Sequence, residues 1–295
     1  MKFRTIPAVV ISLLLIAASA VSAGTYSYGK DLTIIGAHTT YKVKDGESLI
    51  EIARKFDLGY NEIVDANPLL DPFVPDTGAF LHIPALWILP DVKQYEGIVI
   101  NISEMRLYLF PVRGKGGPVR TFPIGIGSEG NETPLGNFKV IEKIARPHWH
   151  PPESIRKERP ELPEVVPPGP ENPLGSHALR LSMNTILIHG TNKPWGIGRM
   201  VSHGCIRLYP EDIPRLFRLA PEGTRVTIVR QPIKIGTASN KVYIEVHLDR
   251  DLMGFNYHSD AVRLLLKKGL LKKIDTEKLY RAIEEKSGIP VIISD

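Results

Sequence analysis

The chain has 295 residues, 43% hydrophobic, 23% charged and 7% aromatic, an ordinary globular composition long enough for two or three modest domains. Its 25 glycines and 25 prolines exclude a helical bundle or coiled coil and point to many turns and short strands. A formal net charge of +5 at pH 7 suits contact with anionic surfaces and is too mild to imply nucleic acid.

Lys2 and Arg4 precede an apolar stretch over 6–21, and the small residues Val21, Ser22 and Ala23 offer a cleavage site. Residues 1–23 therefore read as a secretory signal peptide, since the run is short for a membrane span of about 20 apolar residues. The mature chain is expected to work outside the cytoplasmic membrane, with no stable span after leader cleavage; an uncleaved anchor is the alternative. Exported proteins use cysteine mostly in disulfide pairs, yet this chain carries only Cys205. A lone thiol in an oxidising compartment is either an inert small hydrophobe or a reactive group.

After a polar connector, residues 39–85 form a compact unit. A short strand over 41–43 and an Asp45-Gly46 turn lead to Ser48 and Glu51, a capping box that opens a helix. Leu49, Ile52, Ala53 and Phe56 fall at helical spacing and face one core. A second helix carries Ile63 and Val64 and stops at Asn67-Pro68, and Phe80, Leu81 and Ile83 supply a closing strand. The order "YKVKDGESLIEIARKF", "IVDAN", "GAFLHIPA" resembles the LysM domain, a small module that binds the glycan of peptidoglycan or chitin. The resemblance makes residues 45–48 and 67–70 candidate sugar contacts; a spacer that merely folds is the other reading.

From Gly97 the pattern shifts to strands. "GIVINISEMRLYLF" alternates around a Ser103-Glu104 turn as a hairpin, and "VRTFPIGIG" and "GNFKVI" follow. Nine prolines crowd residues 147–173, which can neither join a central sheet nor continue a helix. With strand patterns on both sides, this segment reads as a proline-stiffened lid over a cleft rather than a disordered linker. "HALRL" and "TILIHG" resume the strands. A helix over about 210–220 begins with Pro210, Glu211 and Asp212 at its positive end, and residues 224–229 form a further strand. Residues 240–295 read as a C-terminal extension: the strand "KVYIEVHL", then helices over about 259–270 and 276–287, the second capped by Asp275 or Thr276 and stopped by Gly288.

Cys205 stands in "SHGCIRL", sixteen residues after His189, which ends an apolar strand. A thiol attacks well only as thiolate, and an imidazole can take its proton, so this is the pair a cysteine nucleophile requires. Gly204 permits close backbone approach, and the amides over 203–205 can point at an oxyanion, helped by a helix opening at Pro210. Zinc on His189, His203, Cys205 or the His148-x-His150 pair is the competing chemistry, but no CxxC or HExxH spacing is present, so neither a metal nor another cofactor is expected.

"HG" followed at this distance by "SHGCIRL", with "TPLGNF" upstream, resembles the catalytic signature of the YkuD-type L,D-transpeptidases. With the leader, the LysM unit and "NPLGSHALRL", the chain is similar to their ErfK/YbiS group. The resemblance spans about 97–230 and implies Cys205 as nucleophile, His189 as general base and the Gly190 carbonyl as the group orienting the imidazole. It implies that Ser202, His203 and Gly204 shape the loop, with amides near Gly204 and Cys205 as oxyanion hole. Arg207 is expected to pair with a substrate carboxylate, its alternative being a structural salt bridge. Trp195 either positions the donor peptide or turns the chain, together with Gly196 and Gly198. Thr133, Pro134 and Gly136 read as a turn at a strand edge, with no catalytic role.

The implied protein is periplasmic. It acts on tetrapeptide stems of peptidoglycan through a Cys thioester, releasing D-Ala and joining the donor to a stem amine or to a lysine of an outer-membrane lipoprotein, and it is sensitive to carbapenems. Alternatives are an L,D-carboxypeptidase, a cysteine endopeptidase on stem peptides, or a non-catalytic wall-binding protein. The expected fold class is α+β and multidomain: a small βααβ LysM module, a mainly β catalytic domain with a mixed, sandwich-like sheet, and a C-terminal α/β extension.

Overall fold

The computed structural model describes residues 24–294 except 115 and 184, so the leader read at residues 1–23 lies outside the described residues. The stretch read as a connector contains two strands, β1 (Thr25–Tyr28) and β2 (Ile34–Gly36). Pattern alone hid them because each is short and draws its hydrogen bonds from distant partners: β1 pairs with residues 117–120 and β2 with 86–88.

The LysM unit consists of β3 (Thr39–Lys42), α1 (Leu49–Lys55), α2 (Tyr60–Asp65) and β4 (Phe80–Ile83), with β3 antiparallel to β4. The expected capping box is formed: Ser48 Oγ accepts from the Glu51 amide at 3.3 Å, and the Glu51 carboxylate accepts from the Ser48 amide at 2.9 Å. Leu49, Ile52 and Ala53 are buried on one face of α1, as their spacing requires.

After β5 (Leu86–Ile88), the hairpin β6 (Tyr95–Asn101) and β7 (Arg106–Gly114) turns at 102–105. There follow β8 (Gly117–Pro123), β9 (Ile126–Gly127), β10 (Gly136–Ala145), α3 (Glu153–Glu158), β11 (His177–Leu181), β12 (Leu187–His189), β13 (Met200–Ser202), β14 (Ile206–Arg207), α4 (Ile213–Leu219) and β15 (Arg225–Val229). Nine strands form one mixed sheet in the order β1-β8-β7-β6-β15-β10-β11-β12-β14, parallel at β6–β15 and β12–β14 and antiparallel elsewhere. Its two ends share a core: Ile100, Leu107, Leu109 and Phe122 meet Leu179, Leu181, Ile188 and Ile206, which gives the sandwich-like character.

The hairpin is apolar on both faces for a reason visible in its period of two. Ile98, Ile100, Leu107 and Leu109 face that core, while the alternate residues Val99, Tyr108 and Phe110 pack with Leu49, Ile52, Ile63, Leu81 and Ile83 of the LysM unit. The module is thus seated on the outer face of the nine-stranded sheet and shares a core with it.

The C-terminal unit is built from β16 (Ile233–Ala238), β17 (Lys241–Val246), α5 (Tyr257–Lys267), α6 (Thr276–Glu285) and β18 (Val291–Ile292) around a third core. Asp275 caps α6, accepting from the amides of Glu277 and Lys278, and the left-handed residue at its end is Lys286, two positions before Gly288. The helix expected from Pro210 begins only at Ile213. Residues 210–212 are a turn closed by the Asp212 amide on Tyr209 O at 3.0 Å, and the Tyr209 hydroxyl donates to Leu58 O at 3.0 Å. At seven residues α4 supplies no usable positive end for the thiol.

Candidate active site

His189 ends β12 and Arg207 ends β14, and the parallel register sets them side by side. His189 is 3% exposed, and its Nδ1 lies 2.6 Å from Gly190 O. A carbonyl can only accept, so Nδ1 carries the proton and Nε2 is left as the basic nitrogen. Burial, with the Arg207 charge adding to it, lowers the imidazole pKa to about 4, against the opposing pull of the Gly190 and Leu174 carbonyls. The ring is therefore neutral at pH 7. Gly190 needs to be glycine, since a Cβ there would meet Ile213 Cγ2 at 2.9 Å and Leu174 O at 3.3 Å.

Cys205 Sγ accepts from the Leu187 amide at 3.4 Å and donates to Thr185 O at 3.7 Å. Burial pushes its pKa up, while the Leu187 N–H, Arg207 and Arg180 pull it down. Among the described residues no hydrogen bond joins Sγ to His189, a looseness common in resting nucleophile–base pairs. Two hydroxyls fix the backbone on either side of the thiol. Thr133 Oγ1 donates to Gly204 O at 3.1 Å and accepts from the Gly127 amide at 2.9 Å, and Ser202 Oγ donates to Cys205 O at 2.5 Å. A trans peptide points its N–H opposite its carbonyl, so the Thr133 bond also aims the Cys205 amide. That amide has no partner among the described residues. Gly204 sits at φ +91°, the left-handed region that glycine adopts without strain, and a Cβ would approach Ile186 Cδ1 at 3.3 Å.

Two of the other predicted residues are more peripheral. His203 is exposed, and Trp195, on a single 3-10 turn over 194–196, is 53% exposed. Arg207 makes no ion pair among the described residues, and its buried Nε lacks a hydrogen-bond partner. Sequence reasoning missed Thr133, which it read as a turn residue. The "TPLGNF" spacing was the available signal, but the bond spans 71 positions and only the fold reveals it.

Residues 147–173 accommodate a helix after all, because α3 fits between Pro152 and Pro160. Trp149 and Val166 exchange backbone hydrogen bonds at 2.9 Å, and the buried Asn172 amide donates to Pro147 O at 2.8 Å, closing the segment on itself. Its downstream end reaches the site through the Leu174 carbonyl beside His189. A cavity of about 320 Å³ at its root is lined by Arg146, Pro170, Ser176, Thr191 and Asn192.

Of the candidate sugar contacts, Asn67 is already spent on the fold: Nδ2 donates to Ile63 O and His82 O at 2.7 and 2.8 Å, and Oδ1 accepts from the His82 amide at 2.8 Å. Leu69 beside it, with Phe73 and Val74, is exposed. A grouping of metal-ligand type, Glu104, Glu245 and His247, lies elsewhere, with Lys234 Nζ between the two carboxylates at 2.6 and 2.8 Å.

A model of the L,D-transpeptidase catalytic domain, YkuD, matches residues 96–228, and one of the LysM domain matches 41–84. The chain is 39% identical over 274 residues to "Probable L,D-transpeptidase YcfS" of Escherichia coli K12, covering 88% of this chain and 84% of that protein. It is 38% identical over 307 residues to "Probable L,D-transpeptidase YbiS" of the same strain, covering 99% and 98%. The chain belongs to the YkuD family of L,D-transpeptidases. It is also 37% identical over 275 residues to "Probable L,D-transpeptidase ErfK/SrfK" of Salmonella typhimurium, covering 88% of each chain. In this L,D-transpeptidase the family match ends one residue before β15 does, and the extension from β16 onward lies outside it.

Proposed function

We propose that the protein is a periplasmic L,D-transpeptidase that works through a thioester on Cys205. The observation that carries this reading is the His189 Nδ1 contact with Gly190 O, which leaves Nε2 as acceptor on β12, the same strand whose Leu187 amide donates to the partly buried thiol. The thiol proton passes to Nε2 as Sγ attacks the carbonyl of the diamino acid in a tetrapeptide stem. The oxyanion is received by the free Cys205 amide, with the Gly204 region beside it. The C–N bond then breaks, the imidazolium returns its proton to the amine of departing D-Ala, and the stem remains as a thioester.

An incoming amine, from a second stem or from a lipoprotein lysine, resolves the thioester; water in its place would give a carboxypeptidase. A substrate carboxylate would supply the acceptor that buried Arg207 Nε lacks, an omission worth about 1–3 kcal/mol. The LysM unit holds the enzyme on the glycan, and the 147–173 segment shields the thioester from water. Among the described residues no helix is long and apolar enough to cross a membrane.

The test is mass spectrometry of wild type and Cys205→Ala with disaccharide-tetrapeptide, with and without a carbapenem. Loss of D-Ala and a carbapenem adduct, both absent from Cys205→Ala, are the expected results, and dimer against hydrolysed tripeptide identifies the acceptor. Turnover retained by Cys205→Ala sinks the nucleophile assignment; a reduced wild type with neither adduct nor turnover favours a wall-binding protein.

A further inference from the structure

The segment that carries Cys205 is gripped on both sides by the LysM unit, and by one short stretch of it, residues 54–60. Upstream of the thiol, the Tyr60 amide donates to Ile197 O at 3.0 Å, and the Arg199 guanidinium stacks 3.7 Å over the Tyr60 ring. The two backbones touch there: a Cβ on Gly59 would lie 2.9 Å from Gly198 Cα, and one on Gly198 would lie 2.2 Å from Tyr60 N. Downstream, the Tyr209 hydroxyl donates to Leu58 O at 3.0 Å, and Arg54 forks both carboxylate oxygens of Glu211 at 2.8 Å. Between these grips the catalytic domain holds the segment through β14 at the edge of the nine-stranded sheet, through the pairing of β13 with β9, and through bonds such as Gly198 N to Ile124 O at 3.0 Å and Thr133 Oγ1 to Gly204 O at 3.1 Å.

The LysM unit is itself locked to the sheet. Buried Arg106 of β7 donates to Glu62 of α2 from Nε at 2.9 Å and from Nη2 at 2.6 Å, and Nη2 also reaches Asp57 O at 2.9 Å. Glu62 in turn accepts from the Gly59 amide at 2.7 Å. The sheet therefore fixes residues 57–62, and residues 54–60 hold 197–199, Tyr209 and Glu211.

We propose that residues 54–60 of the LysM unit are positioning residues for Cys205, so that the module acts on the chemical step as well as on binding. The proposal rests on the reading of Cys205 as nucleophile. Ångström-scale misplacement of a reacting group can cost up to about 100-fold in rate. A bound glycan strand and the thiol are connected in this way through packed backbone rather than a flexible tether.

Gly59→Ala is the decisive variant. Gly59 has φ −81°, which alanine adopts freely, so the substitution leaves the catalytic sequence unchanged while its Cβ presses on Gly198 Cα at 2.9 Å and displaces the Asn61 side-chain oxygen at 2.7 Å. The readouts are alkylation of Cys205 by iodoacetamide against pH, and turnover of a soluble tetrapeptide that lacks glycan. In Gly59→Ala, kcat per folded molecule should fall about tenfold with KM changed less than about twofold, and the alkylation profile should shift along the pH axis. Should Gly59→Ala not fold, Arg54→Gln is measured in the same way, with recovery in Arg54→Lys expected. An unchanged kcat and alkylation profile in a folded variant overturns the proposal. A wild type that alkylates but does not turn over tetrapeptide defeats the proposed function instead, and the alkylation profiles still decide the positioning role.

Discussion

Two buried polar clusters in this molecule are built on opposite terms. In one, Lys234 Nζ spends its three protons on Glu104, Glu245 and Ile88 O at 2.6, 2.8 and 2.7 Å. Glu104 takes further bonds from Asn101 and Tyr108, each at 2.8 Å, and Glu245 from His247 and the Ile88 amide at 2.7 and 2.6 Å. In the other, around Cys205, the Cys205 amide and Arg207 Nε are without partners among the described residues. The first ties the 102–105 turn of the hairpin, β5 and the extension together; the second leaves two donors unpaired. A closed network makes a joint, and an open one makes a site.

The largest effect expected from this contrast is on the joint. Lys234→Met leaves two carboxylates buried without their cation, and breaking a buried pair from one side costs about 3–5 kcal/mol. Urea unfolding should show that loss, while turnover per folded molecule stays at the wild-type rate. A loss below about 1 kcal/mol would mean that the network is not a joint at all.

The open site carries a smaller, pH-linked term. His189 is held at about 4 when folded and returns to its ordinary value of 6.5 on unfolding. Between these values the unfolded chain binds more protons, so stability is full above about pH 6.5 and falls as pH drops toward 4, by on the order of 3 kcal/mol in all. Unfolding measured at pH 7 and 4.5 should show this loss in wild type and a smaller one in His189→Gln. Equal losses would remove His189 from the account.

Legibility in the sequence divides along the same line. Local patterns revealed the LysM capping box, the 97–110 hairpin and the motif around Cys205, because each lies within one short stretch of chain. The joint was illegible: Glu104 reads as a turn residue and Glu245 as a strand residue of the C-terminal extension, and 141 positions separate them. Strands β1 and β2 escaped for the same reason, since their partners lie far along the chain. The grip of residues 54–60 on the catalytic segment was hidden too, because a LysM signature reads the same whether the module is tethered or seated.

Thr133 tests how far the open site depends on closed bonds beneath it. Thr133→Val keeps the shape but removes the acceptor of the Gly127 amide and the donor to Gly204 O, a cost of about 1–3 kcal/mol for buried groups left unpaired. Because the Gly204 carbonyl and the Cys205 amide share one peptide plane, acylation by a carbapenem should slow about tenfold or more, as loss of an oxyanion donor does elsewhere. Normal acylation in a destabilised Thr133→Val would show that the amide is aimed by something else.

Of the expected stem-peptide contacts Arg207 and Trp195, Trp195 is the more exposed. At 53% exposure on a single 3-10 turn, its ring has little packing to lose, so Trp195→Ala should change stability by no more than about 0.5 kcal/mol. Its expected role is an apolar contact for the donor peptide. A several-fold rise in KM for tetrapeptide with kcat unchanged is the expected signature, since a contact made equally in ground and transition states moves only KM. A fall in kcat with KM constant would place the ring in the chemical step, and the open site would then extend beyond the segment held between residues 197 and 211.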